Sequence, residues 1–231
     1  MATQGGPRLS KIQHMIFVDG KENYGKALMI MDEAKRLYGI NVSDHAIFIP
    51  DAVGNDRWNG HRMCAAGTYL AEGEYVMYLD DDNILDEFHI DSCLEAIQTR
   101  KAPTAWAYSL RKIVNERGKF ICNDDCESLG PDYSTVMNAH DHLVDVNCYF
   151  IEKTLAVYMS PLWYRKAREP NVMEVDRVLV KELAKFPSVC TGKYTVNYVA
   201  GSTGISVKKE FFEQGNEIMK QRYPGGFPWR K

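Results

Sequence analysis

The sequence has no long apolar run and no marked excess of charge. No stretch approaches the ~20 apolar residues that span a bilayer. Its 28 basic and 31 acidic residues leave a formal charge of −3, so no broad basic field exists to attract nucleic acid or an anionic membrane. Neither nucleic acid nor a membrane span is therefore expected as a partner. The opening MATQGGPRLSK lacks the apolar stretch of a secretory signal. The six cysteines, Cys64, Cys93, Cys122, Cys126, Cys148 and Cys190, are scattered rather than spaced as a disulfide framework. A reducing, cytoplasmic setting is expected. Internal repeats and low-complexity blocks are absent as well.

What the chain does have is a strong alternation of strand and helix patterns. Residues 1–12, rich in Gly, Pro and polar side chains, read as a flexible tail. Residues 13–231 read as one domain, with 45% apolar residues to build a core. The run His14–Val18 reads as a buried strand. Helical spacing of Ala27, Ile30, Met31, Ala34 and Leu37 follows, up to a stop at Gly39. A second strand ends at Pro50-Asp51, a second helix covers about Trp58 to Ala71, and Tyr75–Leu79 is a third strand. This order predicts a parallel sheet with crossovers, in which the loops opening at Asp19, Asp51 and Asp80 converge beyond the strand ends. Downstream come a helix over 86–99, a hairpin turning at Asn115–Gly118, and a polar loop over 123–138 of the kind that forms lids. Further strands are expected over 144–151 and 194–199, with a helix over 173–185.

Three consecutive aspartates, Asp80, Asp81 and Asp82, follow the third strand. Such a concentration of charge calls for compensation, and a hard divalent cation supplies it: Mg²⁺ or Mn²⁺ prefers carboxylate oxygen and completes its shell with water and substrate phosphate. On an extended segment, Asp80 and Asp82 would share a face. The bland alternative is a solvated acidic loop, or a cap on the helix that follows.

The segment from Gly67 to Asp82, with Ala71-Glu-Gly-Glu-Tyr75 leading into an apolar strand and the acidic triplet, resembles inverting GT-A glycosyltransferases of the family-two kind. That resemblance implies a GT-A fold: a Rossmann-like, mostly parallel sheet flanked by helices, with a more irregular, mixed second half. Residues 13–82 would be the nucleotide-binding half and 83–231 the acceptor-side half. It also implies transfer of a hexose from a nucleotide-diphosphate sugar to the hydroxyl of a glycan or other acceptor, and favours UDP as nucleotide and inversion as outcome. In its terms Asp82, with Asp80, binds Mn²⁺ or Mg²⁺, while Asp80 and Asp81 hold the donor's ribose or support the metal. Val18, Asp19 and Asp51 lie on the nucleotide side, and Arg62 stands nearest to the family's donor-phosphate contact. Asp176, with Glu174 beside it, is the implied catalytic base. The pair is spaced Glu-x-Asp where the family has Glu-Asp, and the family's Ala-Arg-Asn element is replaced by Met63-Cys64-Ala65.

Other readings remain open at this level. An aromatic-basic cluster, Trp163, Tyr164, Arg165, Lys166 and Arg168, could meet acceptor or diphosphate, or be a basic turn over core aromatics. A haloacid-dehalogenase-like phosphohydrolase would use Asp80 as nucleophile, and a non-catalytic sugar-nucleotide binder would share the same site. Cys122, Cys126, His140 and His142 could supply zinc ligands, although their spacing matches no established zinc finger.

Overall fold

A computed structural model describes residues 4–8, 11–38, 46–166, 175–201 and 207–230. In chain order the elements are β1 (Ile16–Asp19), α1 (Tyr24–Tyr38), β2 (Ala46–Ile49), α2 (His61–Leu70), β3 (Tyr75–Val76), β4 (Ile84–Leu85) and α3 (His89–Gln98). They continue as β5 (Trp106–Val114), β6 (Phe120–Asn123), β7 (Tyr149–Glu152), α4 (Lys153–Trp163), α5 (Val175–Leu183), β8 (Ser188–Val199) and α6 (Lys209–Arg222).

The strands do not join into one parallel sheet. β1 and β2 pair in parallel with each other and form a separate two-stranded sheet. The main sheet runs β3-β7-β5-β8-β4, with β6 also on β5. Among the described residues its only parallel pairing is β5 with β8; β3–β7, β5–β7, β5–β6 and β4–β8 are all antiparallel. The expected Rossmann-like, mostly parallel sheet of a GT-A domain is therefore corrected to a mixed, mostly antiparallel sheet curled into a half-barrel. The physical reason is pairing range. Local periodicity reports that a segment is extended, but its neighbour is chosen by contacts far along the chain.

β5 is central because nearly all of its residues are buried, as a strand covered on both faces requires. One edge carries β7 beside Trp106–Tyr108 and then β6 beside Lys112–Val114; the other carries β8 along its length. Alternation along the strands separates two cores. Ala107, Phe150 and Val189 meet Ile90 and Cys93 of α3. Trp106, Tyr108, Tyr149 and Ile151 face the opposite way, onto Leu155 and Met159 of α4 and Leu179 and Leu183 of α5. A third cluster packs Leu110 and Ile113 against Phe212 and Met219 of α6 and against Trp229. The N-terminal residues pack on α3: Gly5 N–H donates to the Glu87 carbonyl, and Arg8 pairs with Asp91 at 3.1 Å.

The first part of the polar loop over 123–138 belongs to the interior. Residues 124–130 are all buried, and the reason is one side chain of β5. Arg111 is fully enclosed. Its Nε donates to Asp124 Oδ2 at 2.8 Å, its Nη2 to Glu127 Oε2 at 2.5 Å, and its Nη1 to Asp145 Oδ2. A guanidinium fork can satisfy carboxylates in several directions at once, so it gathers 124–127 and 145 around β5. Asp124 in turn accepts the backbone N–H groups of Cys126, Glu127 and Ser128. Burial alone would push the Asp124 carboxyl up, but Arg111 and the Ser128 N–H outweigh it and hold the group below its ordinary value.

Replacing Arg111 by Met keeps the bulk and strands three buried carboxylates. Urea unfolding should show a loss of about 3–5 kcal/mol, the usual result of breaking a buried ion cluster from one side. A loss under about 1 kcal/mol would mean that the cluster behaves like a surface pair.

Candidate active site around the acidic triplet

β3 is short, and the chain leaves it through Met77–Leu79 into a turn that Asn83 N–H closes onto the Asp80 carbonyl at 3.3 Å. The triplet is thus a turn rather than an extension of the strand. Asp80 and Asp81 are exposed and Asp82 is half-buried. Two fastenings hold the turn. The buried Asn83 side chain accepts Val199 N–H at 3.2 Å, at the end of β8, and Asp80 N–H donates to Asn147 Oδ1 at 2.7 Å. Tyr78, just upstream, shares a hydrogen bond with Thr68 of α2 at 2.7 Å and accepts Trp163 Nε1–H at 3.3 Å. This core contact brings α2 and α4 beside the triplet.

Three carboxylates influence one another here. Burial and the neighbouring charge of Asp145 raise Asp80 from its ordinary 3.8 to about 6; Asp82 and Asp81 add to the rise, and the hydrogen bond from Asn147 opposes it. Asp176, in the first turn of α5, is raised to about 7 by burial, then by Asp145 and Asp80. Cys64 of α2 feels both: burial, Asp80 and Asp176 push its thiol up to about 12. Asp80 keeps an exposed surface, yet the protein atoms around it are the largest cause of its raised carboxyl. Oxygen donors in surplus negative charge fit a hard divalent cation, which needs only one or two protein carboxylates when phosphate supplies the rest. Among the described residues no group of three or more His, Cys, Asp or Glu is arranged as a metal-ligand set.

Asp176 is fixed from both sides. Tyr149 hydroxyl donates to its backbone carbonyl at 3.4 Å, and Arg177 binds Asp141 through Nε at 2.6 Å and Nη2 at 3.1 Å. Glu174, the second base candidate, lies outside the described residues.

The nucleotide-side candidates fall elsewhere. Val18 is buried in β1. Asp19 accepts the N–H groups of Val53 and Gly54, both at 2.8 Å, so its carboxylate clamps the loop after β2. Asp51 opens that loop and is exposed. Because β1 and β2 form their own sheet, the shared strand edge that was expected to bring Asp19, Asp51 and Asp80 together does not exist. The same loop passes through positive φ at Asp56, Arg57, Asn59 and Gly60, an uncommon conformation for the first three. It delivers Trp58 under Arg62, whose guanidinium carbon lies 3.7 Å from the ring centre and 5.8 Å from that of Tyr164. Arg62 Nε is buried with no hydrogen-bond partner. Lys166 pairs with Asp56, and the Arg165 backbone carbonyl accepts from His61 Nδ1 at 3.2 Å. Residues 163–166 of the aromatic-basic cluster thus dock on the loop preceding α2, with Trp163 in the core and Tyr164 exposed, and Arg168 lies outside the described residues.

The zinc reading finds no assembled site. Cys126 is fully buried with its thiol toward the Phe212 carbonyl, His142 Nδ1 meets the Tyr133 carbonyl at 3.1 Å, and His140 is exposed. Asn147 is the site residue with no motif to announce it. Its one sequence signal is that Asp145 and Asn147 interrupt an otherwise apolar run, and buried polar side chains need partners.

Comparison with models of known protein families gives no match, and neither does comparison with curated protein sequences. Among the described residues no helix is long and apolar enough to cross a membrane.

The raised Asp176 carboxyl makes a pH prediction. Its proton is held more tightly in the folded chain than in the unfolded one, where it titrates near 3.8. The resulting stabilisation is complete below that value and is lost as pH rises through about 7. Asp176→Asn should therefore melt above wild type at pH 8, with the gain shrinking toward pH 4. A difference that stays constant over that range would show that Asp176 is not raised.

Proposed function

We propose that this chain transfers a sugar from a nucleotide-diphosphate sugar, with UDP the favoured nucleotide, to an acceptor hydroxyl. In this reading a divalent cation, Mn²⁺ or Mg²⁺, is held at Asp82 and Asp80, and Asp176 is the base. One arrangement carries the reading: Asp80, Asp145 and Asp176 lie within electrostatic reach of one another, and burial with their mutual charge raises Asp80 to about 6 and Asp176 to about 7. An ordinary carboxylate, near 3.9, is too weak a base for an alcohol at neutral pH, whereas one near 7 matches the working pH. The reading rests on this cluster and on the local resemblance around the triplet, and needs no particular sheet topology.

The bound cation would supply charge neutralisation to the departing diphosphate. The protein's own groups divide the remaining work. Asp80 and Asp82 present carboxylate oxygens, and Asn147 fixes the first of them. Asp176 accepts the proton of the attacking hydroxyl. Burial and the neighbouring Asp145 keep it basic, and the Arg177–Asp141 pair braces the first turn of α5 on which it stands. Arg62, stacked on Trp58 with an unsatisfied Nε, is the cationic group available to a donor phosphate.

Screening nucleotide sugars for Mn²⁺-dependent binding and turnover tests the whole reading. Asp82→Ala should abolish cation-dependent UDP binding in calorimetry; equal UDP affinity with and without chelator would rule the cation out. Asp176→Asn should leave donor affinity within a fewfold and lower turnover by roughly 10²-fold or more. Donor binding with no turnover on any acceptor would instead favour a non-catalytic sugar-nucleotide binder.

A further inference from the structure

We propose that Asn147 is a positioning residue for Asp80, and that buried Arg111 holds it in place through Asp145. The inference rests on the sugar-transfer reading and adds the device that shapes its cation site.

Asn147 is fully enclosed, and both arms of its amide are committed. Oδ1 accepts Asp80 N–H at 2.7 Å, while Nδ2 donates to Asp80 Oδ2 at 3.0 Å and to Asp145 Oδ1 at 2.8 Å. The partners fix the amide's orientation: a backbone N–H requires the oxygen, and two carboxylates require the nitrogen. Asp145 Oδ1 also accepts Asn147 N–H at 3.0 Å, its N–H takes Ser128 Oγ at 2.9 Å, and Oδ2 belongs to Arg111. A continuous line of hydrogen bonds thus runs from a buried guanidinium to a solvent-facing carboxylate.

A structural asparagine would end on backbone or on another buried group. Asn216 does so, accepting Asp125 N–H and donating to the Asn123 carbonyl. Asn147 instead grips the main chain and the side chain of an exposed aspartate at once. Holding Oδ2 fixes the carboxylate plane and leaves Oδ1 to the ligand, so Asp80 need not lose rotational freedom when a cation arrives. Outer partners of this kind typically change metal affinity by 10–100-fold.

The experiment titrates purified protein with Mn²⁺ in the presence of UDP and follows free Mn²⁺ by its paramagnetic resonance signal. Wild type is compared with Asn147→Ala, the volume-filling Asn147→Leu, and Asn216→Ala, a cavity control remote from Asp80. A positioning role predicts an affinity about tenfold or more weaker in both Asn147 variants, with the number of sites per molecule unchanged, and near wild-type affinity in the control. Fewer sites at wild-type affinity would mean that the variants merely misfold, and would overturn the inference. So would unchanged affinity in Asn147→Leu, or an equal loss in the control. If wild type itself binds no Mn²⁺, the cation reading falls first and the positioning role with it.

Discussion

A single guanidinium, buried where three polypeptide segments cross, organises this molecule. Arg111 lies in the central strand, yet its partners come from 124–127 and 145, segments whose backbones would otherwise have no reason to enter the core. Aromatic faces close over it, with Tyr198 at 4.5 Å and Phe212 at 5.3 Å from the guanidinium carbon. Desolvating such a cluster is expensive, and replacing it with apolar groups is often no loss to stability. Its retention makes sense if it does something an apolar core cannot, and here it fixes the direction in which Asp145 presents its other oxygen to Asn147.

That direction sets the electrostatics of the site. Arg111 serves Asp124, Glu127 and Asp145 at once, with Arg177 3.9 Å from Glu127 as a second cation, and burial leaves Glu127 raised despite both. Asp145 acts on Asp80 and Asp176, where it is the largest charge effect on both. The basicity proposed for Asp176 and the cation demand proposed for Asp80 then share a charged neighbour, on top of the burial that acts on each.

Packing is divided unevenly along the chain. Around β5 the side chains of Trp106, Tyr149, Trp163 and Trp229 are almost wholly enclosed. The unit of β1, α1 and β2 is looser: Met31 and Val18 are buried, but Leu28, Met29, Ile30 and Leu37 stay exposed. The triplet is anchored on the dense side, through Asn83 to β8 and through Asn147 to the Arg111 cluster. The clamp made by Asp19 holds a loop on the other side, and through Trp58 that loop orders Arg62.

Short-range information was legible in the residues themselves. Apolar runs and helical spacing marked most strands and helices, Asn115–Gly118 marked the hairpin, and three adjacent aspartates after a strand marked the place where charge collects. Those signals are written in neighbouring side chains. Strand order was not legible, because β1, β2 and β3 look alike locally, and only long-range pairing put the first two in one sheet and the third beside β7. Nor could the sequence show that a polar loop would be drawn inward around Arg111, since 124–130 read as solvated until the cation that satisfies them is placed. Asn147 stayed hidden for the same reason. A lone asparagine in an apolar run has no meaning until the fold sets its amide against a carboxylate 67 residues away in sequence, and the pKa values that give the site its chemistry exist only once the tertiary structure has brought Asp80, Asp145 and Asp176 together and removed water from between them.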